Sequence, residues 1–276
     1  MTLRLPEDDR VIREGGVNLV FASGFLVPQR FLKQEYFRGA RVAFPDACFP
    51  RVPVTGSIDA RARALAAAIQ DFRFPDPSAP IHIIGHSMGG LDARYVLCRN
   101  IAGVAARVAS LSTIGTPHRG SPVADLIVGP APGGRQLRQR VYRTVRRAAG
   151  RLGLRTGALG NLTTGYAREF NQEYPDIGNI PCFCYAGNRR QAYLLRLIGA
   201  YLRDVGETPA ERENDGLVSV ASASWTPLAE KPWPTDHLGE VGHSLTPPRF
   251  ASRFPHLEAL RRVIERARAA TSDRAP

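Results

Sequence analysis

The six residues Gly85-His86-Ser87-Met88-Gly89-Gly90 join an apolar run, Ile81-His82-Ile83-Ile84, to a segment from Met88 to Cys98 with Leu91, Tyr95 and Val96 on its inner side. A strand that turns into a helix around one serine has few folded solutions. The apex residue is lifted clear of the sheet only by a strained backbone, and the residues two before and two after it must then lack side chains. Gly85 and Gly89 stand at those two positions. The spacing therefore predicts a sharp strand-to-helix turn at the edge of a sheet, with the Ser87 hydroxyl exposed on top.

The rest of the chain supplies a sheet for that turn. Val17 to Ala22 reads as a buried strand ending at Ser23-Gly24-Phe25, and Arg41-Val42-Ala43-Phe44-Pro45 as a short second strand. Ser57 caps a helix whose apolar residues Ile58, Ala62, Leu65, Ile69 and Phe72 fall on one face. Ile81–Gly85, Val108–Gly115, Pro181–Tyr185 and the run around Leu217-Val218-Ser219-Val220 read as further strands. Leu257, Leu260, Val263, Ile264 and Ala267 mark a closing amphipathic helix. Strands alternating with helices predict an α/β class with a mostly parallel, doubly wound sheet. A single domain over residues 1–276 is expected, with no internal repeat.

The middle of the chain breaks the rhythm. Between residues 135 and 155 stand eight arginines, and Leu137, Val141, Val145, Ala148 and Leu152 make a stripe at helical spacing. This reads as a cationic amphipathic helix within an insertion over residues 124–175. Arginine is abundant throughout: all but two of the 37 basic residues are arginine, and the net charge is +12. Nucleic acid is not expected as a partner, because no zinc spacing, RNP-like aromatic motif or basic recognition helix accompanies the charge.

Other classes are excluded by composition and pattern. With 43% hydrophobic residues the chain fills a large core, and no apolar run reaches the roughly 18 residues of a membrane helix. The four cysteines, Cys48, Cys98, Cys182 and Cys184, are too scattered for a disulfide framework. Cys182 and Cys184 share one side of a strand and are expected to pack as small apolar groups. The first nine residues are acidic with no apolar core, so a cytoplasmic chain is expected unless a leader has been removed.

A serine hydroxyl is a weak nucleophile and needs a base. His237, His243 and His256 lie downstream of Ser87, as do the carboxylates Asp176, Asp204, Glu213, Asp215 and Asp236. His118 precedes every plausible acid, and His256 starts the last helix, where a capping role is expected. Asp215 stands out: Glu213-Asn214-Asp215-Gly216 is a turn followed by an apolar run, and an Asp-Gly turn is its competing reading.

Five blocks together resemble the bacterial true-lipase family, which includes the pseudomonad and burkholderial triacylglycerol lipases. They are Gly85 to Leu91 with Arg94-Tyr95-Val96; Thr113 to Ser121 with Ala124-Asp125; Leu162-Thr163-Thr164 with Phe170 to Pro175; Asn214 to Ser219; and Asp236-His237-Leu238. They occur in the family's order from about residue 17 to 243. The resemblance implies an α/β-hydrolase fold with a helical lid over residues 124–175. It implies Ser87 as nucleophile, Asp215 as orienting acid and His237 as base, with the backbone amides of Phe25 and Met88 as the oxyanion hole. It also implies hydrolysis of acyl or lipid esters through an acyl-enzyme. The alternatives are a small-substrate esterase, thioesterase or acyltransferase, or a weakly catalytic protein that binds a membrane or a partner.

Three positions depart from the family pattern. Ser23-Gly24 stands where the family has His-Gly, so the oxyanion loop is expected to be held differently. Gly239 stands where an aspartate would bind calcium, and Ala221 where a disulfide cysteine would be. No metal or cofactor is expected. The arginine-rich helix occupies the lid position, and its stripe is expected to cover the active-site mouth and turn toward an anionic lipid surface.

Overall fold

The computed structural model describes residues 17–25, 35–54, 56–131, 133, 135–151, 159–190, 192–244 and 254–272. The acidic N-terminal stretch, Leu152, Arg155 and the side chain of Ala148 lie outside what is described. Four strands, β1 (Asn18–Ala22), β2 (Ile81–His86), β3 (Val108–Ile114) and β4 (Cys182–Tyr185), pair in that order, all parallel. Alternate residues of each strand face opposite sides. Val20, Ala22, Ile81 and Ile83 meet Ala62, Leu65 and Ile69 of α2 (Ile58–Asp71) and Ala93 and Val96 of α3 (Met88–Cys98). Leu19, Phe21 and Ile84 meet Leu260, Val263 and Ile264 of the closing helix His256–Ser272 on the other face. The sheet is therefore apolar on both faces, as a doubly wound fold requires. Ser57 caps α2 as expected, its hydroxyl accepting from the Ala60 amide.

Two expected strands are absent from the sheet. Ala40–Ala43 is one helical turn, α1. A strand would put Val42 and Phe44 on the same side, yet Val42 is 67% exposed while Phe44 is buried against Phe21. The extended contact falls a few residues later, where Cys48 exchanges backbone hydrogen bonds with the edge of β1. The run at 217–220 is a turn leading into a four-residue helix, Val220–Ala223. Asp215 Oδ1 accepts from the amides of Leu217 and Val218 at 2.8 and 2.7 Å, and so takes the donors a strand ladder would use.

The insertion leaves and returns at one point. Ser121 N donates to Leu162 O at 2.8 Å, and Asp125 on α4 (Pro122–Val128) accepts from the amide and hydroxyl of Thr164. Between them lies α5 (Gln136–Arg151), and α6 (Thr164–Glu173) follows. The described part of the α5 stripe packs inward: Leu137 is half-buried, and Val141 and Val145 pack against α4 and against Ile198 and Leu202 of α7 (Tyr193–Val205), a helix with no counterpart in the sequence reading. Arg135 and Arg138 reach Asp204 of α7 at 2.5 and 2.8 Å. Among the described residues no helix is long and apolar enough to cross a membrane.

A buried histidine in β2 sets an acid limit. His82 is fully buried, with Nδ1 2.7 Å from Ser110 Oγ, and burial lowers its pKa to about 4. The folded state therefore binds this proton less readily than the unfolded one. Its contribution is intact above about pH 6.5 and is lost as pH falls toward 4. A loss of about 3 kcal/mol is expected over that window. Denaturant midpoints measured from pH 7 to 4 should show it, and His82→Gln should flatten that limb.

Candidate active site

The elbow is built as its glycines require. Ser87 follows the last residue of β2 with φ 54° and ψ −129°, and Met88 opens α3. Such a backbone stores roughly 1–3 kcal/mol of strain. A Cβ on Gly85 would come within 2.7 Å of the Gly90 backbone, and one on Gly89 would run into the Ala22 carbonyl. Met88, as the first residue of α3, has an amide with no acceptor inside the helix.

The partners arrive from beyond β4. His237 Nδ1 lies 2.7 Å from Asp215 Oδ2, 22 residues earlier, and the His237 amide donates to Asp215 O at 3.1 Å. Asp215 is 1% and His237 5% exposed. The two readings of Asp215 hold together: Oδ1 fixes the turn and Oδ2 meets the imidazole. The His237 ring stands 4.6 Å from that of His86, the residue before Ser87, which brings the Asp215–His237 pair to the elbow.

The competing groups are engaged elsewhere. His118 is buried between Arg94 and Thr113. His243 Nε2 reaches the carbonyls of Glu35 and Tyr36, and His256 Nε2 that of Arg38. Asp204 pairs with two arginines, Glu213 accepts from Asn188, and Asp236 accepts from the Gly239 amide. Asp176 stands exposed on the surface after α6.

No family model matches the chain. It is 32% identical over 197 residues to triacylglycerol lipase 2 of Saccharomyces cerevisiae, covering 69% of this chain and 56% of that protein. It is 26% identical over 267 residues to the triacylglycerol lipase of Pseudomonas fragi, covering 82% of this chain and 87% of that one. The chain is thus similar in sequence to the triacylglycerol lipases of a yeast and of a bacterium. Its fold is that of the α/β-hydrolases: a metagenomic carboxyl esterase superposes with a TM-score of 0.70 over 94% of this chain and 77% of its own, at 20% identity.

The loop Ser23-Gly24-Phe25, the candidate oxyanion loop, is held by means the sequence did not reveal. Ser23-Gly24-Phe25 crosses directly over the elbow: a Cβ on Gly24 would lie 2.7 Å from Ser87 Cβ and from the Tyr36 hydroxyl. Arg61 of α2 donates to Ser23 O at 2.7 Å and to Pro53 O at 2.6 Å, and pairs with Asp92 of α3 at 2.8 Å. Both side chains of that pair are fully buried. The loop and the helix after the elbow thus share one cation, where the family pattern has a histidine. Phe25 packs with Met88 in one small apolar cluster.

Glu240, three residues after His237, was also missed. It is fully buried, with Oε2 3.0 Å from His86 Nε2 and 3.6 Å from His237 Nδ1. Burial first, and the charge of Asp215 next, push its carboxyl well above the usual range. Burial and His237 together hold the His86 pKa well below its ordinary value. An Nε2–H tautomer of His86 donates toward His237 O at 3.1 Å while Nδ1 accepts from the Tyr36 hydroxyl at 2.6 Å. Among the described residues, His86, His237 and Glu240 are also the group whose atoms lie close enough for one metal ion. His86 Nε2 already pairs with Glu240 Oε2 and His237 Nδ1 with Asp215 Oδ2, so the arrangement reads as a proton network. Cys182 and Cys184 sit on β4 as free thiols, and Cys184 accepts from Thr113 at 3.4 Å.

Proposed function

We propose that this chain is a serine ester hydrolase that cleaves acyl or lipid esters through an acyl-enzyme. The reading rests on one observation above all: the 2.7 Å Asp215–His237 bond stands beside a serine held at positive φ. The chain spans 56% of the length of its yeast relative, so the activity is argued from the site.

Ser87 Oγ attacks the ester carbonyl carbon, and its proton passes to His237. Asp215 holds the imidazole in the tautomer that accepts it and stabilises the charged ring. The carbonyl electrons move onto oxygen, which receives the amides of Met88 and Phe25; one such donor is typically worth about 3–4 kcal/mol. Collapse of this intermediate expels the alcohol, which takes the proton from His237. Water, deprotonated by His237, then attacks the acyl carbon, releasing the acid and restoring Ser87.

The insertion over residues 124–175 acts as the lid in this reading. The described part of the α5 stripe is covered by α4 and α7, so the surface left to meet an anionic lipid is its arginine face, where Arg143 and Arg147 are exposed. A panel of p-nitrophenyl esters and triglyceride, presented in neutral or phosphatidylglycerol-containing micelles, tests both statements. Turnover of long-chain esters with a gain on anionic micelles is expected. Activity confined to short acyl groups would make the protein a small-substrate esterase. Equal rates on both micelles would remove the membrane role.

A further inference from the structure

Five arginines of one open pocket have no part in this chemistry. Arg196 and Arg203 lie with Tyr193 along one face of α7, the loop after β4 adds Arg189 and Arg190, and α5 adds Arg140; the pocket between them has a volume of about 630 Å³. Asp204, the acid on α7, is taken by Arg135 and Arg138. Among the described residues none of the five lining arginines is in an ion pair. Arg140 donates to the Tyr193 hydroxyl at 2.7 Å, which fixes one wall.

A second observation lies at the floor. Arg190 Nη1 is buried with no hydrogen-bond partner. Its side chain lies against Gly199, where any Cβ would run into Arg190 Cδ and approach Asn214 Oδ1 to 2.7 Å; α7 is notched to admit the Arg190 stem. Burial, and then the charge of Arg203, hold Arg190 below the usual arginine range, with only partial relief from Glu213 and Asp215. The first turn of α7 carries no side-chain cap, so its free amides add to the positive field.

Unpaired guanidiniums converging on one space repel each other unless a multivalent anion joins them, and their planar forks match phosphate oxygens two at a time. We infer that the pocket between α5 and α7 binds phosphate-bearing anions, with Arg190 at its floor and Arg140, Arg189, Arg196 and Arg203 around it. The site does not depend on Ser87 being reactive. A free oligophosphate and a phospholipid headgroup offer the same chemistry.

Thermal unfolding of the full chain with tripolyphosphate, against chloride at matched ionic strength, tests the site. A saturable rise of about 5 °C or more is expected at a hundredfold excess over Kd. Arg189→Gln/Arg196→Gln, both exposed positions, should weaken it at least about tenfold. Arg73→Gln/Arg266→Gln, both exposed, removes the same charge outside the pocket and outside the insertion and should leave it unchanged. Flotation with phosphatidic acid or phosphatidylcholine vesicles forms the second arm. A response to tripolyphosphate identifies a soluble ligand; binding to phosphatidic acid alone, lost in the pocket variant, identifies a headgroup. No saturable response in either arm, or equal losses in the two variants, overturns the inference.

Discussion

Ser87→Ala is expected to lower ester turnover by about 10⁶-fold while leaving the thermal midpoint near that of the unaltered protein. Removal of the nucleophile or its base from a working unit typically has that size, and the losses do not add. His237→Ala should therefore match it, and Ser87→Ala/His237→Ala should be no worse than either alone. Asp215→Asn should cost about 10⁴-fold, because the amide favours the wrong imidazole tautomer. Asp215 Oδ1 also holds the turn through the amides of Leu217 and Val218, so Asn, which keeps an acceptor, is preferable to Ala. A fluorophosphonate probe followed by peptide mapping gives the direct test. The unaltered protein should label at Ser87, and Ser87→Ala should not label. An unlabelled native protein would overturn the proposed activity.

The second large effect concerns the buried pair Arg61–Asp92. Asp92→Ala leaves a guanidinium in the core without its carboxylate, a change that typically costs about 3–5 kcal/mol. At roughly 2–4 °C per kcal/mol for a chain of somewhat smaller size, the midpoint should fall by about 6–20 °C. Arg61→Met should fall less in stability but lose activity, because the Ser23 carbonyl is released and the Phe25 amide drifts from its place over the elbow. Loss of one oxyanion donor corresponds to about 10²–10³-fold in kcat. Arg61→Met/Asp92→Leu removes both charges and should recover stability without recovering kcat. Unchanged kcat in both Arg61 variants would show that the cation has no part in shaping the loop.

How much of this was written in the sequence varies with the range of the interactions involved. The elbow was legible because it is a local device: seven consecutive residues contain the glycines, the serine and the start of the helix. The helices 58–71, 88–98 and 256–272 were legible from their apolar spacing, and the four sheet strands from their apolar runs. The misread segments at 40–43 and 217–220 show where pattern fails. Four residues are too few to separate a strand from a helical turn, and at 217–220 one carboxylate captured the amides that decide the matter.

The amino-acid order determined the turn at Ser87 and pointed to the candidate nucleophile, acid and base, since each lies in a short block whose chemistry is carried by adjacent residues. Only the tertiary structure decided that Arg61 ties the Ser23 carbonyl to α3 through Asp92, that Glu240 and Tyr36 close a network around His86, and that α7 packs on Val141 and Val145 of α5. Those contacts join residues from 31 to 154 positions apart, and burial, which fixes their protonation and their energy, has no signature in a run of neighbours.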